Sequence, residues 1–206
     1  MIEQQDSTNL PAYNSFARYQ ELLQEALSTI DSVQFELAAS TLEDAMLTNK
    51  QIFVCGNGGS AAIAEHMTCD HCKGVSTDTN LFPRVISLAS NMSLITAIAN
   101  DISYDEVFSR QLMYLGNKGD VLVCISSSGN SKNIIKVIET AQLLDMYVIA
   151  LTGFDGGQAS KIANIPLHVN MDNYGVVEDC HQSIMHSLAQ YIRVRHLDSH
   201  DKDIIL

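Results

Sequence analysis

The chain reads as an α/β protein: a doubly wound, five-stranded parallel sheet with an N-terminal helical extension. Three observations predict it. From Gln51 onward, short runs of branched apolar residues alternate with stretches whose apolar residues recur at helical spacing. The run VLVCI, residues 121–125, is apolar on both faces, as a strand buried within a parallel sheet must be. Residues 14–47 carry helical periodicity before any strand begins.

The elements follow in order. Phe16, Leu22, Leu23, Ala26 and Ile30, then Phe35, Leu37, Leu42 and Ala45, define two leading helices. A single domain of 206 residues needs few such helices, so part of their apolar surface is expected to pack against another subunit. Strands are expected over 51–56, 84–89, 120–125, 146–151 and 165–169. The periodicity predicts helices over 59–73, 92–100, 104–116, 130–144, 157–163 and 175–196. Ligands of doubly wound sheets collect beyond the carboxyl ends of the strands, which puts the loops 57–60 and 126–131 on one edge. The tail after His196 is expected to fray or to dock on a partner.

Composition excludes several classes. With 24 acidic and 12 basic residues the formal net charge is -12, and no dense Lys/Arg patch interrupts it. That disfavours a nucleic-acid or anionic-membrane surface, while leaving room for a small phosphorylated ligand held by backbone donors. The N-terminus MIEQQDSTNL lacks the basic flank and apolar core of a signal peptide, and no apolar run has the length of a membrane span, so a cytoplasmic protein is expected. Cys55, Cys69, Cys72, Cys124 and Cys180 are odd in number and scattered, as reduced thiols are. Cys69 and Cys72 have the spacing of a thiol pair, but they fall inside a helical pattern, and no second pair accompanies them.

Two turns carry the functional signal. After Ile125 come Ser126, Ser127, Ser128, Gly129, Asn130 and Ser131, and then a helix. Backbone N–H groups at the helix start, its positive dipole end and these hydroxyls can converge on a phosphate, although serine also caps helices without any ligand. The other turn, Gly56–Asn57–Gly58–Gly59–Ser60, has neither the dinucleotide spacing nor the lysine of a nucleotide-binding loop. Two such turns on one sheet edge point to a phosphorylated small molecule. On the helix after the glycine turn, His66 and Asp70 are four apart and share a face, able to hold a metal or to transfer protons. A second polar cluster, Glu178, Asp179, His181, Gln182 and His186, opens the last helix.

The segments CGNGGSAA, AIAND, YDEVFSRQL, GDVLVCISSSGNSKNIIKVIE and ALTGFDGG occur in this order. Together they resemble the sugar isomerase (SIS) domain, and in particular the phosphoheptose isomerases, over nearly the whole chain. The resemblance implies a single flavodoxin-like SIS domain over 1–206, with its α/β core at 51–196. It also implies leading helices within 1–50 used in oligomer packing, and a homotetramer with active sites between subunits. It assigns the sugar phosphate to Ser126, Ser127, Ser128 and Ser131, and sets Asn57, Gly58, Gly59, Ser60, Asn100, Asp101 and Glu178 around the substrate. A zinc site is implied at His66, Asp70, Glu178 and His186, where Asp70 stands for a longer glutamate and Glu178 for a neutral glutamine. Both replacements can ligate zinc. By helical angle Asp179 lines up with His186 better than Glu178 does, which makes it a reserve ligand.

Asp70 and His186 are the implied acid/base pair. The implied reaction converts D-sedoheptulose 7-phosphate to D-glycero-D-manno-heptose 7-phosphate through an enediol, for surface polysaccharide. Some relatives instead act as non-catalytic tetrameric proteins that bind the bacterial replication initiator. Those lack a carboxylate at the position of Asp70, so its presence here favours an enzyme.

Overall fold

Strands β1 (Gln51–Gly56) and β3 (Val121–Ser126) are buried at every position in the computed structural model, which describes residues 11–197. They pair in parallel, Cys55 opposite Cys124. Strands β2 (Arg84–Ser87), β4 (Tyr147–Thr152) and β5 (Ile165–His168) complete a parallel sheet of order β2-β1-β3-β4-β5. Pro166, which cannot donate to a ladder, sits in an edge strand.

Alternation along each strand builds two cores. Ile52 and Val54 of β1, Val121, Val123 and Ile125 of β3, and Ile149 and Leu151 of β4 enter one. Phe53 and Cys55, Leu122 and Cys124, and Val148 and Ala150 enter the other. The first core is covered by α1 (Ala12–Leu27), α2 (Ser32–Leu47), α3 (Gly59–Cys69) and α8 (Tyr174–Arg195). The second is covered by α4 (Met92–Asp101), α5 (Ser109–Leu115), α6 (Lys132–Leu143) and α7 (Gly157–Ile162). Each large side chain so buried contributes roughly 1.5–3 kcal/mol.

The leading helices belong to this core and are more than an appendage. Ala26, Ala38, Leu42 and Met46 are buried in it, while Tyr13, Phe16, Val33 and Leu47 of the same helices stay exposed. Asp31 caps α2 by accepting from the backbone N–H groups of Val33 and Gln34. None of the described helices is long and apolar enough to cross a membrane. The N-terminal leader and the tail beyond residue 197 lie outside the described residues.

Two expected helices differ in detail. The helix expected over 59–73 ends as α3 at Cys69, and a π-helical turn follows over Asp70–Gly74, closed by Val75 N–H donating to the Asp70 carbonyl at 2.9 Å. The helix expected over 104–116 divides into a 3₁₀ turn, Tyr104–Glu106, and α5. Apolar periodicity cannot tell these windings apart, because all of them return a side chain to the same face within one turn.

Two histidines are wholly buried, His71 in the π turn and His181 in α8. Burial pushes each imidazole down to about 4, and the backbone of Met185 beside His71 and of Thr152 beside His181 offsets only part of it. Both rings are therefore neutral in the folded protein near neutrality. A folded value below the ordinary 6.5 means that the unfolded chain takes up these protons first on acidification. Their share of stability is complete above pH 6.5 and is lost as pH falls from there toward about 4. The melting temperature should drop across that window, and His181→Leu should flatten the drop when melting is followed by circular dichroism.

Candidate active site

The order of the sheet sets the site. β1 and β3 are neighbours, yet α3 leaves the end of β1 toward one face and α6 leaves the end of β3 toward the other. Where following helices part, the turns cannot close over the strand ends, and a crevice opens. A cavity of about 190 Å³ lies there, walled by Asn57, Ser60, the serine turn, Tyr174 and Glu178.

Ser126 ends β3, and its hydroxyl oxygen accepts from Gly129 N–H at 3.2 Å. Gly129 has φ 62°, and a Cβ there would collide with the Gly156 carbonyl oxygen, so only glycine fits. The β4–α7 loop braces the turn, with Gly153 N–H donating to the Ser127 carbonyl at 2.8 Å and Ala159 N–H to the Gly129 carbonyl at 2.9 Å. The Ser127 hydroxyl is buried without a described partner, and Ser131 does not cap α6 with its side chain. A buried hydroxyl and a helix start without a side-chain acceptor are what an anion would satisfy.

The glycine turn faces this one. Gly58 enters α3 with φ 56°, and the carboxylate of Glu178 lies so close to Gly59 that a Cβ there would stand 2.6 Å from its Oε2. Glu178 thus sits at the positive end of α3, a favourable place for a carboxylate. Asn57 is tied to Asn133 by two reciprocal hydrogen bonds of 2.9 Å. Asn100 and Asp101 are bonded to each other at 2.8 Å at the end of α4 and are not among the residues lining the described cavities.

Farther along α8 is a second group. Asp70 places Oδ1 3.4 Å from His66 Nε2 and Oδ2 3.2 Å from His186 Nε2. The two imidazoles meet edge to face, centroids 5.0 Å apart. Gln182 lies between them, its Nε2 3.0 Å from His66 Nδ1 and 2.9 Å from His186 Nε2. Four ligands around a zinc at its usual ~2.05 Å stand about 3.4 Å apart. The two Asp70–histidine distances match that edge, and one ligand atom from each of His66, Asp70 and His186 lies within 4.8 Å of the others, so these three donors fit a zinc ion. A further cavity of about 290 Å³ opens beside Asp70 and His186, with Lys73, Gln190 and Arg193 in its walls.

Of the four expected ligands, three come together and Glu178 does not. Gln182 is about 40° from His186 around α8, whereas Glu178 is about 80° away and a turn nearer the helix start. Asp179, the reserve ligand, is taken by Tyr19 of α1, whose hydroxyl donates to its Oδ2 at 2.7 Å. Burial, and then that hydrogen bond, push the Tyr19 phenol up to about 12. The sequence reading named Gln182 without giving it a role, and its spacing of four from His186 was the available signal. Tyr104, whose hydroxyl reaches Asn57, and Asn133 left no such signal.

The SIS domain family model matches residues 15–153. The phosphoheptose isomerase of Colwellia psychrerythraea is 41% identical over 172 residues, covering 82% of this chain and 87% of that one. Among solved structures, a phosphoheptose isomerase from Francisella tularensis superposes with a TM-score of 0.82 at 30% identity, covering 89% of this chain and 98% of its own. One from Neisseria gonorrhoeae gives 0.79 at 34%, covering 87% and 95%. With its five-stranded fold and both turns, the chain belongs to the SIS-domain family and, within it, to the phosphoheptose isomerases, and it is an isomerase.

Proposed function

We propose that the enzyme interconverts D-sedoheptulose 7-phosphate and D-glycero-D-manno-heptose 7-phosphate, the second feeding surface polysaccharide. The supporting observation is the distance between its two polar centres. Glu178, in the wall of the serine cavity, and His186, beside Asp70, are eight residues apart on one helix, which is about 12 Å. An extended seven-carbon chain with a terminal phosphate spans ~10 Å at ordinary bond lengths. A ligand phosphorylated at one end and reacting at the other suits that separation.

On this reading Ser126, Ser127, Ser128 and Ser131, with the first N–H groups of α6, hold the phosphate. Asn57 stands where the phosphate meets the sugar, Gly58, Gly59, Ser60 and Glu178 line the path of the sugar, and Asn100 and Asp101, outside the described cavities, are assigned to the substrate by the family resemblance. At the other end the proton on C1 of the ketose is taken by one member of the Asp70/His186 pair, giving an enediol. Return of a proton to C2 gives the aldose. With no metal between them the pair is 3.2 Å apart, and a proton can then pass between carboxylate and imidazole while the hydroxyls at C1 and C2 exchange theirs. His66, Asp70 and His186 would hold a zinc ion, which would supply Lewis acidity there.

We further infer a single domain acting as a homotetramer in the cytoplasm. Exposed Tyr13, Phe16, Val33 and Leu47 would give the leading helices their partner surface.

Incubation with sedoheptulose 7-phosphate should yield the aldose, and Asp70→Asn and His186→Gln should each lower kcat by roughly 10²–10⁴-fold. No turnover with or without zinc, together with tight binding to the replication initiator, would transfer the protein to the adaptor class. Ser128→Ala should weaken sugar-phosphate binding by about 1.5–3 kcal/mol, read by calorimetry, with an unchanged melting curve. Elemental analysis of protein purified without chelator should find zinc in the parent and its loss in His66→Ala and in His186→Ala. Zinc retained in both variants would return attention to Cys69 and Cys72.

A further inference from the structure

Asn133 lies in the first turn of α6 and is 2% exposed. A buried amide is costly unless its donors and acceptors are used, and this one is spent on a single residue. Its Nδ2 donates to Asn57 Oδ1 at 2.9 Å, and its Oδ1 accepts from Asn57 Nδ2 at 2.9 Å. The closed pair of bonds ties the turn after β1 to the helix after β3, across the mouth of the crevice. The Tyr104 hydroxyl, from the 3₁₀ turn after α4, donates to the same Asn57 Oδ1 at 2.9 Å.

An amide offers two lone pairs on oxygen and two N–H donors. At Asn57 both lone pairs are taken, one by Asn133 and one by Tyr104, and one N–H is taken by Asn133. A single N–H remains, on a residue in the wall of the serine cavity. With the amide turned the other way, the group left over would be an acceptor, which repels a phosphate. The structure has the first orientation, with the Tyr104 hydroxyl donating to Asn57 Oδ1.

Resting on the sugar-phosphate reading of this cavity, we propose that Asn133 and Tyr104 are positioning residues that hold Asn57 as a hydrogen-bond donor to the bound phosphate. They touch no ligand themselves and act through Asn57. The glycine turn then contributes a fixed donor opposite the serine turn, and the two turns grip the anion as one unit.

The test measures inorganic phosphate binding by calorimetry, and KM and kcat with sedoheptulose 7-phosphate, for the parent, Tyr104→Phe and Asn133→Asp. Tyr104 is 56% exposed, so its phenylalanine variant should keep the parent melting temperature. Asn133→Asp keeps the acceptor for Asn57 Nδ2 and removes the donor to Oδ1 at nearly constant volume. The dissociation constant for phosphate should rise about three- to tenfold in Tyr104→Phe and more in Asn133→Asp, with KM rising in step and kcat held within about twofold. If Asn133→Asp fails to fold, Tyr104→Phe decides alone. Phosphate affinity unchanged in the folded variants overturns the proposal. So does a fall in kcat that follows a fall in melting temperature, since that is the mark of a structural role. Because phosphate binding is read without turnover, a chain that does not isomerise this ketose still answers the question.

Discussion

The structure depends on the pairing of β1 with β3. These strands touch along their length, and the chain runs from β1 outward to β2 but from β3 outward to β4, so right-handed crossovers send the following helices to opposite sides of the sheet. That divergence leaves two strand ends side by side with nothing above them except the turns. Everything polar in the crevice follows: a glycine turn and a serine turn brought together from 70 positions apart (Asn57 to Ser127), each opening a helix whose positive end points inward. The apolar strands below provide rigidity. Fully buried Phe53, Leu122 and Ile125 leave no room for the turns to settle into the sheet.

Much of this was legible in the sequence, and for a physical reason. Branched apolar runs such as VLVCI and helical repeats such as Ile134, Ile135, Val137 and Ile138 encode local winding directly, so the sheet and its flanking helices could be read. His66 and Asp70 were legible as a pair because four residues on a helix bring side chains together without any help from the rest of the fold. Glu178 was harder. Its destination depends on the empty space above Gly59, which exists only because α8 crosses the start of α3. Asp179 shows the same limit, since helical angle aims it at His186 while Tyr19, 160 residues away, captures it. The π turn at Asp70 was invisible, because the helical run ends with it and no later turns remain to show the shift in phase that one extra residue makes.

That turn bears on the chemistry. Asp70 is the first residue of the widened turn, and its two carboxylate oxygens reach histidines on different helices, His66 of α3 and His186 of α8. An aspartate is one methylene shorter than the glutamate that the resemblance leads one to expect. The turn that begins at Asp70 also buries the next residue, His71, as a neutral ring. A short carboxylate in a widened turn thus meets the spacing that a zinc ion or a proton relay requires.

Electrostatics then explains how an acidic chain can handle an acidic ligand. A net charge of -12 repels a phosphate at long range, but salt screens that field beyond about 8–10 Å. Inside the crevice, a phosphate under the serine turn as proposed would meet hydroxyls and helix N–H groups, whose dipoles need no counter-charge. Among the described residues Glu178 is the one carboxylate in that wall, and its placement against Gly59 lets the start of α3 balance it. With one helix start given to Glu178 and the other, α6, left open, the two ends of the crevice differ in character: an anion belongs under the serines, and hydroxyl-bearing carbons belong beside the carboxylate. On the proposed reading that difference would orient a sugar phosphate, with its unphosphorylated end directed along α8 toward Asp70 and His186.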